Sequence, residues 1–290
     1  HQYDLVYMFQ RYSLNPEIFI QWFIKKMNLT VNEVALELGC FSKIYWTHNL
    51  EYAQFFQKLY LVDEKIDNIL QAKRILKNHS NINMTLHHSE GLDIENQTVD
   101  LVYSSNLDLK LDCYYPSLLS EVIRVLKADG TFYYTHILED YYASIYRLLE
   151  EYDLNLYVNQ LVSRHLKSNI QEVEQLLASN FSTIESSEYQ TQWMVDNVDD
   201  LIGFILCDPE FKDIKNQIFK SGISKFRAFL QNKIEKLGGI SVIRRVIVIS
   251  CTQKRIYSSY WGLVIVSLLS QKHFNRSAKR NVSMMENHEL

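Results

Sequence analysis

An α/β fold with a mainly parallel, doubly wound sheet is predicted by three features of the sequence. Residues 33–63 hold two short apolar runs, 34–38 and 59–62, separated by a turn at Gly39-Cys40 and a helix-like segment, and the second run ends in an acid, Asp63. That is the outline of a βαβ unit, in which ligands bind at the carboxyl ends of the strands. Further along, strand candidates alternate with amphipathic helices as far as residue 135, the pattern that builds parallel strands with helices on both faces. Finally, 290 residues, 47% of them hydrophobic and with only 8 Gly and 3 Pro, can bury a large core in one large or two modest units.

Taken in order, the chain up to residue 29 reads as helical. Ile18, Phe19, Trp22, Phe23 and Met27 recur at steps of three and four, with Asn15 as N-cap, Pro16 at the first helical position and Glu17 in the first turn. Tyr3, Tyr7, Phe9 and Tyr12 read as packing aromatics ahead of a ligand lid. Residues 65–78 carry Ile66, Ile69, Leu70, Ile75 and Leu76 among lysines and arginines, as a helix covering a sheet would. Strands follow at 83–86 and 101–103, then a helix over 115–126 closed by the polar turn 127–130, and an aromatic, β-branched strand over 131–135. Beyond it the pattern predicts helices over 138–156 and 170–177, a strand over 182–193, helices over 198–206 and 214–237, and a strand over 240–251. The helices between the last two strands form an insertion. The tail has an apolar, aromatic run at 257–269, too short to span a bilayer as a helix, then Lys272, Arg276, Lys279 and Arg280 without apolar periodicity. The run reads as a docking helix, a homodimer contact or an added sequence.

A formal net charge of -4 supplies no general attraction to nucleic acid or acidic lipid. The cysteines, Cys40, Cys113, Cys207 and Cys251, are scattered without CxxC spacing or a histidine at metal-ligand spacing. They read as reduced thiols of a cytoplasmic protein, with neither disulfide nor structural metal expected. The first residues, HQYDLVYMFQRY, have no signal-peptide pattern.

Asp63 ends its strand where a carboxylate can accept hydrogen bonds from ribose hydroxyls, which points to a nucleoside cofactor; the competing reading is an N-cap for the next helix. Glu37, at the end of the first strand, reads either as a buried acid with partners or as an acid at an exposed strand end.

Several stretches match a known pattern in the same order. They are Leu36-Glu37-Leu38-Gly39-Cys40, Leu61-Val62-Asp63, the run 95–102 (ENQTVDLV), and the run 119–132 (LSEVIRVLKADGTF), with Arg11-Tyr12-Ser13-Leu14-Asn15 ahead of them. Over roughly residues 10–253 the chain resembles the class I S-adenosylmethionine-dependent methyltransferases of the small-molecule type. The resemblance implies a Rossmann-like, doubly wound, mainly parallel seven-stranded sheet with an antiparallel final strand. It also implies an N-terminal helical lid over 1–30, a catalytic domain over 31–253 with a helical insertion at about 194–239, and leaves 254–290 as a tail. The implied cofactor is S-adenosylmethionine, released as S-adenosylhomocysteine, and the implied partner is a small-molecule acceptor. Gly39 and Cys40 would form the first cofactor loop, Asp63 would hold the ribose, and Ser89 and Glu90, beside His88, would line the adenine site. Ser104 would follow the fourth strand, and Tyr12 of the lid would close over the methionine portion.

The sequence departs from that pattern at three walls. Phe41 and Lys43 stand where the family has further glycines, His88 stands where it reads the adenine amino group with Asp, and the 104–108 segment (SSNLD) is one residue longer. A second reading therefore stands beside the enzyme: a methyltransferase-like binding protein that has lost the cofactor. Methylation of nucleic acid is disfavoured by the absence of a basic face and of an NPPY-like motif.

A methyl sulfonium is already a strong electrophile, so the protein must chiefly align nucleophile, methyl carbon and sulfur, with a base only where the acceptor must lose a proton. Glu37 would favour the cationic methionine end. His88 and His136 are the candidate bases, each equally readable as an incidental polar residue, and Cys40 reads as a small turn residue, not a nucleophile. Tyr141, Tyr142, Tyr146, Trp193 and Phe204 are candidate acceptor contacts or plain core.

Overall fold

The computed structural model describes residues 5–39, 54–63, 66–86, 91–104, 116–138, 142–153, 170–208 and 211–255. Two helices, α1 (Leu5–Tyr12) and α2 (Phe19–Met27), precede β1 (Glu33–Leu38), β2 (Phe56–Asp63), α3 (Ile66–Ile75), β3 (Ile82–Leu86) and β4 (Val99–Ser104). Next come α4 (Pro116–Val125), β5 (Leu126–Ile137), α5 (Ala143–Tyr152), α6 (Ile170–Asn180) and β6 (Phe181–Val195). The helices α7 (Val198–Cys207), α8 (Lys212–Ser221) and α9 (Ile223–Leu237) separate β6 from β7 (Ile240–Lys254).

The seven strands form one sheet in the order β3-β2-β1-β4-β5-β7-β6. Strands β1 to β5 pair in parallel, and β7 runs antiparallel to both β5 and β6. The strand order reverses between β1 and β4, so the ligand crevice of such a sheet lies above the carboxyl ends of β1, β2 and β4.

Side chains alternate across the sheet, and each face has its own core. On one face Ala35, Leu59, Leu61, Leu101 and Tyr103 pack with α2, α3, α5 and the inserted helices. On the other, Leu36, Val62, Val102, Phe132 and Tyr134 pack with Leu118, Leu119, Val122 and Val125 of α4 and with Val173 and Leu177 of α6. The four apolar positions of α4, spaced three and four apart, form the stripe expected of a helix laid on a sheet. Each such side chain, once fully buried, contributes about 1.5–3 kcal/mol.

Several expectations need correcting. Asn15 does not cap a helix: α2 starts at Phe19 after Ile18 with no side-chain cap. Instead the Asn15 amide donates to the Gln190 carbonyl (2.8 Å) and accepts from the Gln192 N–H (2.9 Å), tying the segment between α1 and α2 to β6. The polar turn at 127–130 falls within the bounds of β5 but is unpaired: Leu126 pairs with Val99 and Thr131 with Leu101, so the four residues bulge out opposite Asp100. The single helix expected over 214–237 is two, broken at Gly222, whose φ of 99° a residue with a side chain rarely adopts. The helix expected from residue 138 begins at Ala143.

The block 119–132 is fastened by Arg124. Its guanidinium donates to both carboxylate oxygens of Glu121 (2.7 Å each) and to the carbonyls of Leu92 (2.9 Å) and Ile94 (2.7 Å), while the Leu92 N–H donates to Glu121 (2.7 Å). The loop entering β4 is thereby pinned to α4.

Candidate cofactor crevice

The crevice is built from the ends of three strands. Glu37, one residue before the end of β1, is 1% exposed, and Asp63, the last residue of β2, is 7% exposed. The parallel register pairs Glu37 with Leu61 and Leu38 with Val62, so by strand alternation the two carboxylates share one sheet face. Between them Gly39 turns the chain at φ 74°, its N–H donating to the Val62 carbonyl (2.8 Å). Both oxygens of Asp63 accept from the Asn68 amide nitrogen, at 3.0 Å each, from the first turn of α3. Glu37 Oε2 accepts from the Tyr103 hydroxyl (3.2 Å), the cross-strand partner on β4. Burial, followed by the Glu37 charge, pushes the Tyr103 phenol well above its ordinary pKa, so it stays a donor.

Ser104, the last residue of β4, is fully buried, and its carbonyl accepts from the Thr135 hydroxyl (3.0 Å). Glu37, Gly39, Asp63 and Ser104 therefore gather at the carboxyl edge. His136 does not join them. It lies in register with Ile247 on β5, two residues beyond Tyr134, and so faces the side that carries α4 and α6, opposite to Glu37 and Asp63. Cys40, Phe41, Lys43, His88, Ser89 and Glu90 lie outside the described residues.

A cap stands over this edge. The last β5–β7 pair is Ile137 with Val246, yet β6 and β7 stay paired as far as Val195 with Ile240. Residues 240–245 thus overhang the end of β5 by roughly 20 Å at about 3.4 Å each, and α7 to α9 close the end of that ribbon. Tyr142, Tyr146, Trp193 and Phe204, named from sequence as acceptor contacts, do come together there. Tyr142, Trp193 and Phe211 surround Phe204 with ring centroids 5.8, 5.4 and 6.4 Å away, and Tyr146 stands 5.8 Å from Phe211. All are buried, so they are packed core in this structure, and Tyr141 lies outside the described residues. Arg244 lies over the Tyr142 and Trp193 rings (5.4 and 5.0 Å).

Tyr12 is held by the cap, not by the crevice. Its hydroxyl makes a very short hydrogen bond to Asp200 Oδ2 on α7, the Tyr7 hydroxyl donates to the same oxygen (2.9 Å), and Arg11 Nε lies 3.0 Å from it. Burial and the bond to Asp200 push the Tyr12 phenol far up. Helix α1 is therefore latched to α7.

Sequence reasoning missed Tyr103, Asn68, Asp200 and Arg244. Arg244 had a signal, a charge in the β-branched run 240–251, where one residue of an adjacent pair must point inward. Asp200 had none, since an acid in a first helical turn is ordinary. Among the described residues no cluster of three His, Cys, Asp or Glu could hold a metal, and no helix is long and apolar enough to cross a membrane.

The fold is that of the class I S-adenosylmethionine-dependent methyltransferases. The chain is similar to the YcgJ protein of Bacillus subtilis, with 14% identity over 82% of this chain and 98% of that one and a TM-score of 0.50. It is also similar to a provisionally assigned methyltransferase from Bacillus halodurans C-125, with 14% identity over 82% and 99% of the two chains and a TM-score of 0.51. At that identity the likeness is one of fold. No protein-family model and no curated protein sequence matches the chain.

Proposed function

We propose that this protein transfers a methyl group from S-adenosylmethionine to a small-molecule acceptor by in-line displacement, in the cytoplasm. One observation carries the proposal: two carboxylates, Glu37 and Asp63, are buried on one sheet face at the carboxyl ends of the neighbouring strands β1 and β2, next to the reversal of strand order between β1 and β4. Each carboxylate already has a partner in the protein, Asn68 for Asp63 and Tyr103 for Glu37, and the pair lies at the edge of the sheet where a nucleoside ligand is taken. The described residues fit the cofactor's chemistry. Asp63 would take the ribose hydroxyls, with Asn68 fixing its carboxylate plane, and Glu37 would face the ammonium end. Bound there, the cofactor supplies an electrophilic methyl sulfonium. The protein's own work is alignment and exclusion of water, for which the β6–β7 ribbon, α1 and α7 to α9 form the cover. His136 is turned to the other face and His88 lies outside the described residues, so no described side chain is assigned as a base.

Calorimetry and thermal melting with S-adenosylhomocysteine test the reading. At one hundred times the dissociation constant the ligand stabilises the fold by about 2.7 kcal/mol, and Asp63→Ala abolishes the shift. Absence of both heat and shift in the wild-type protein would replace the enzyme with the binding protein that has lost its cofactor, the outcome toward which Phe41 and Lys43 point.

A further inference from the structure

Glu37 can serve a cationic ligand only if its carboxylate is held charged and aimed, and among the described residues Tyr103 is placed to help with both. Tyr103 is the direct cross-strand partner of Glu37, on the same face of the sheet, and its hydroxyl donates to Oε2 at 3.2 Å. The two residues are 1% and 4% exposed. The phenol ring is locked in turn by Phe23 of α2, whose ring stands edge-on to Tyr103 (centroids 6.2 Å, 67°) and to Tyr133 (6.0 Å, 84°). A phenol can only stabilise the charged form of the acid by donating, and a ring fixed by packing spends no further entropy to do so.

We propose that Tyr103 is a positioning residue, which acts through Glu37 to select cofactors that carry the methionine ammonium. The proposal rests on the cofactor reading above. Tyr103 itself need not touch the ligand; it sets the charge and direction of the group that does.

The test is calorimetric, on the full chain, with two ligands: S-adenosylhomocysteine, and 5′-methylthioadenosine, which keeps the nucleoside and sulfur but lacks the amino acid. Tyr103→Phe removes one oxygen and keeps the ring against Phe23. It is expected to weaken S-adenosylhomocysteine about tenfold, the scale of one hydrogen bond to a charged group, while 5′-methylthioadenosine stays within about twofold. Glu37→Gln should show the same split, and in that background Tyr103→Phe should add less than about twofold. Equal loss for both ligands in either variant, an unchanged S-adenosylhomocysteine affinity, or additive effects in the double variant would overturn the proposal. Failure of the wild-type protein to bind either ligand would instead remove the reading on which it rests.

Discussion

Single residues carry two further expectations. A Cβ at Gly130 would stand 2.7 Å from Leu126 Cδ1 and 2.9 Å from the Asp100 carbonyl oxygen, so the chain can enter β5 beside β4 only without a side chain there. Gly130→Ala should cost about 1–3 kcal/mol in urea unfolding, and an unchanged midpoint would contradict the close approach. The thiols offer a second check. Cys251 is fully buried and burial pushes its pKa up to about 12, whereas Cys207 is exposed. At pH 8 the Cys251 thiol lies far below its pKa and stays protonated, so iodoacetamide should label the Cys207 peptide and spare that of Cys251. Labelling of both at similar rates would mean that the β7 core opens readily. The same scale explains what was legible in the site. Asp63 and Glu37 announced themselves as acids ending apolar runs, while Tyr103 and Asn68 looked like ordinary strand and helix residues. Their roles depend on which strand lies beside which, and that is a property of the strand order, not of any local pattern.

Among the elements, the strands and helices with clear periodicity were read correctly in kind, and the misreadings cluster where tertiary contact overrode local preference. Asn15-Pro16-Glu17 has the chemistry of a helix start, yet the Asn15 amide finds both a donor and an acceptor on β6, which a cap could not offer together. The polar run 127–130 keeps its turn character as a bulge inside β5, between the pairs Val99 with Leu126 and Leu101 with Thr131, and Lys127 meets Asp100 there at 2.6 Å. The inserted helices were visible as periodic segments, but the break at Gly222 and the latch between α1 and α7 were not. That latch is testable. Asp200→Ala removes the carboxylate that accepts from the Tyr7 and Tyr12 hydroxyls, the latter buried, and should lower stability by about 2 kcal/mol. Hydrogen exchange in α1 should rise about tenfold, by local opening, with the sheet unaffected. Unaltered exchange in α1 would show that packing alone seats the helix.

For the whole molecule, the sheet and its two cores predict a gradient of stability. Strands β1, β4 and β5 lie at the centre, covered on both faces, so their amides should exchange only through global unfolding, while α1 and the outer strands β3 and β6 exchange earlier. Early exchange in β4 would refute a single cooperative sheet. The cap contributes a mechanical property as well. The foot of α1 is stitched to β6, by the Leu14 N–H to the Gln192 carbonyl (2.9 Å) and by both ends of the Asn15 amide. The helix is thus a short lever with its fulcrum on the ribbon. Its 8 residues give an arm of about 12 Å, and a swing of about 30° would carry the tip roughly 6 Å. Tyr12 grips Asp200 close to the pivot, whereas Tyr7 grips it more than a turn farther out, so for equal bond strength the outer tyrosine resists the greater torque.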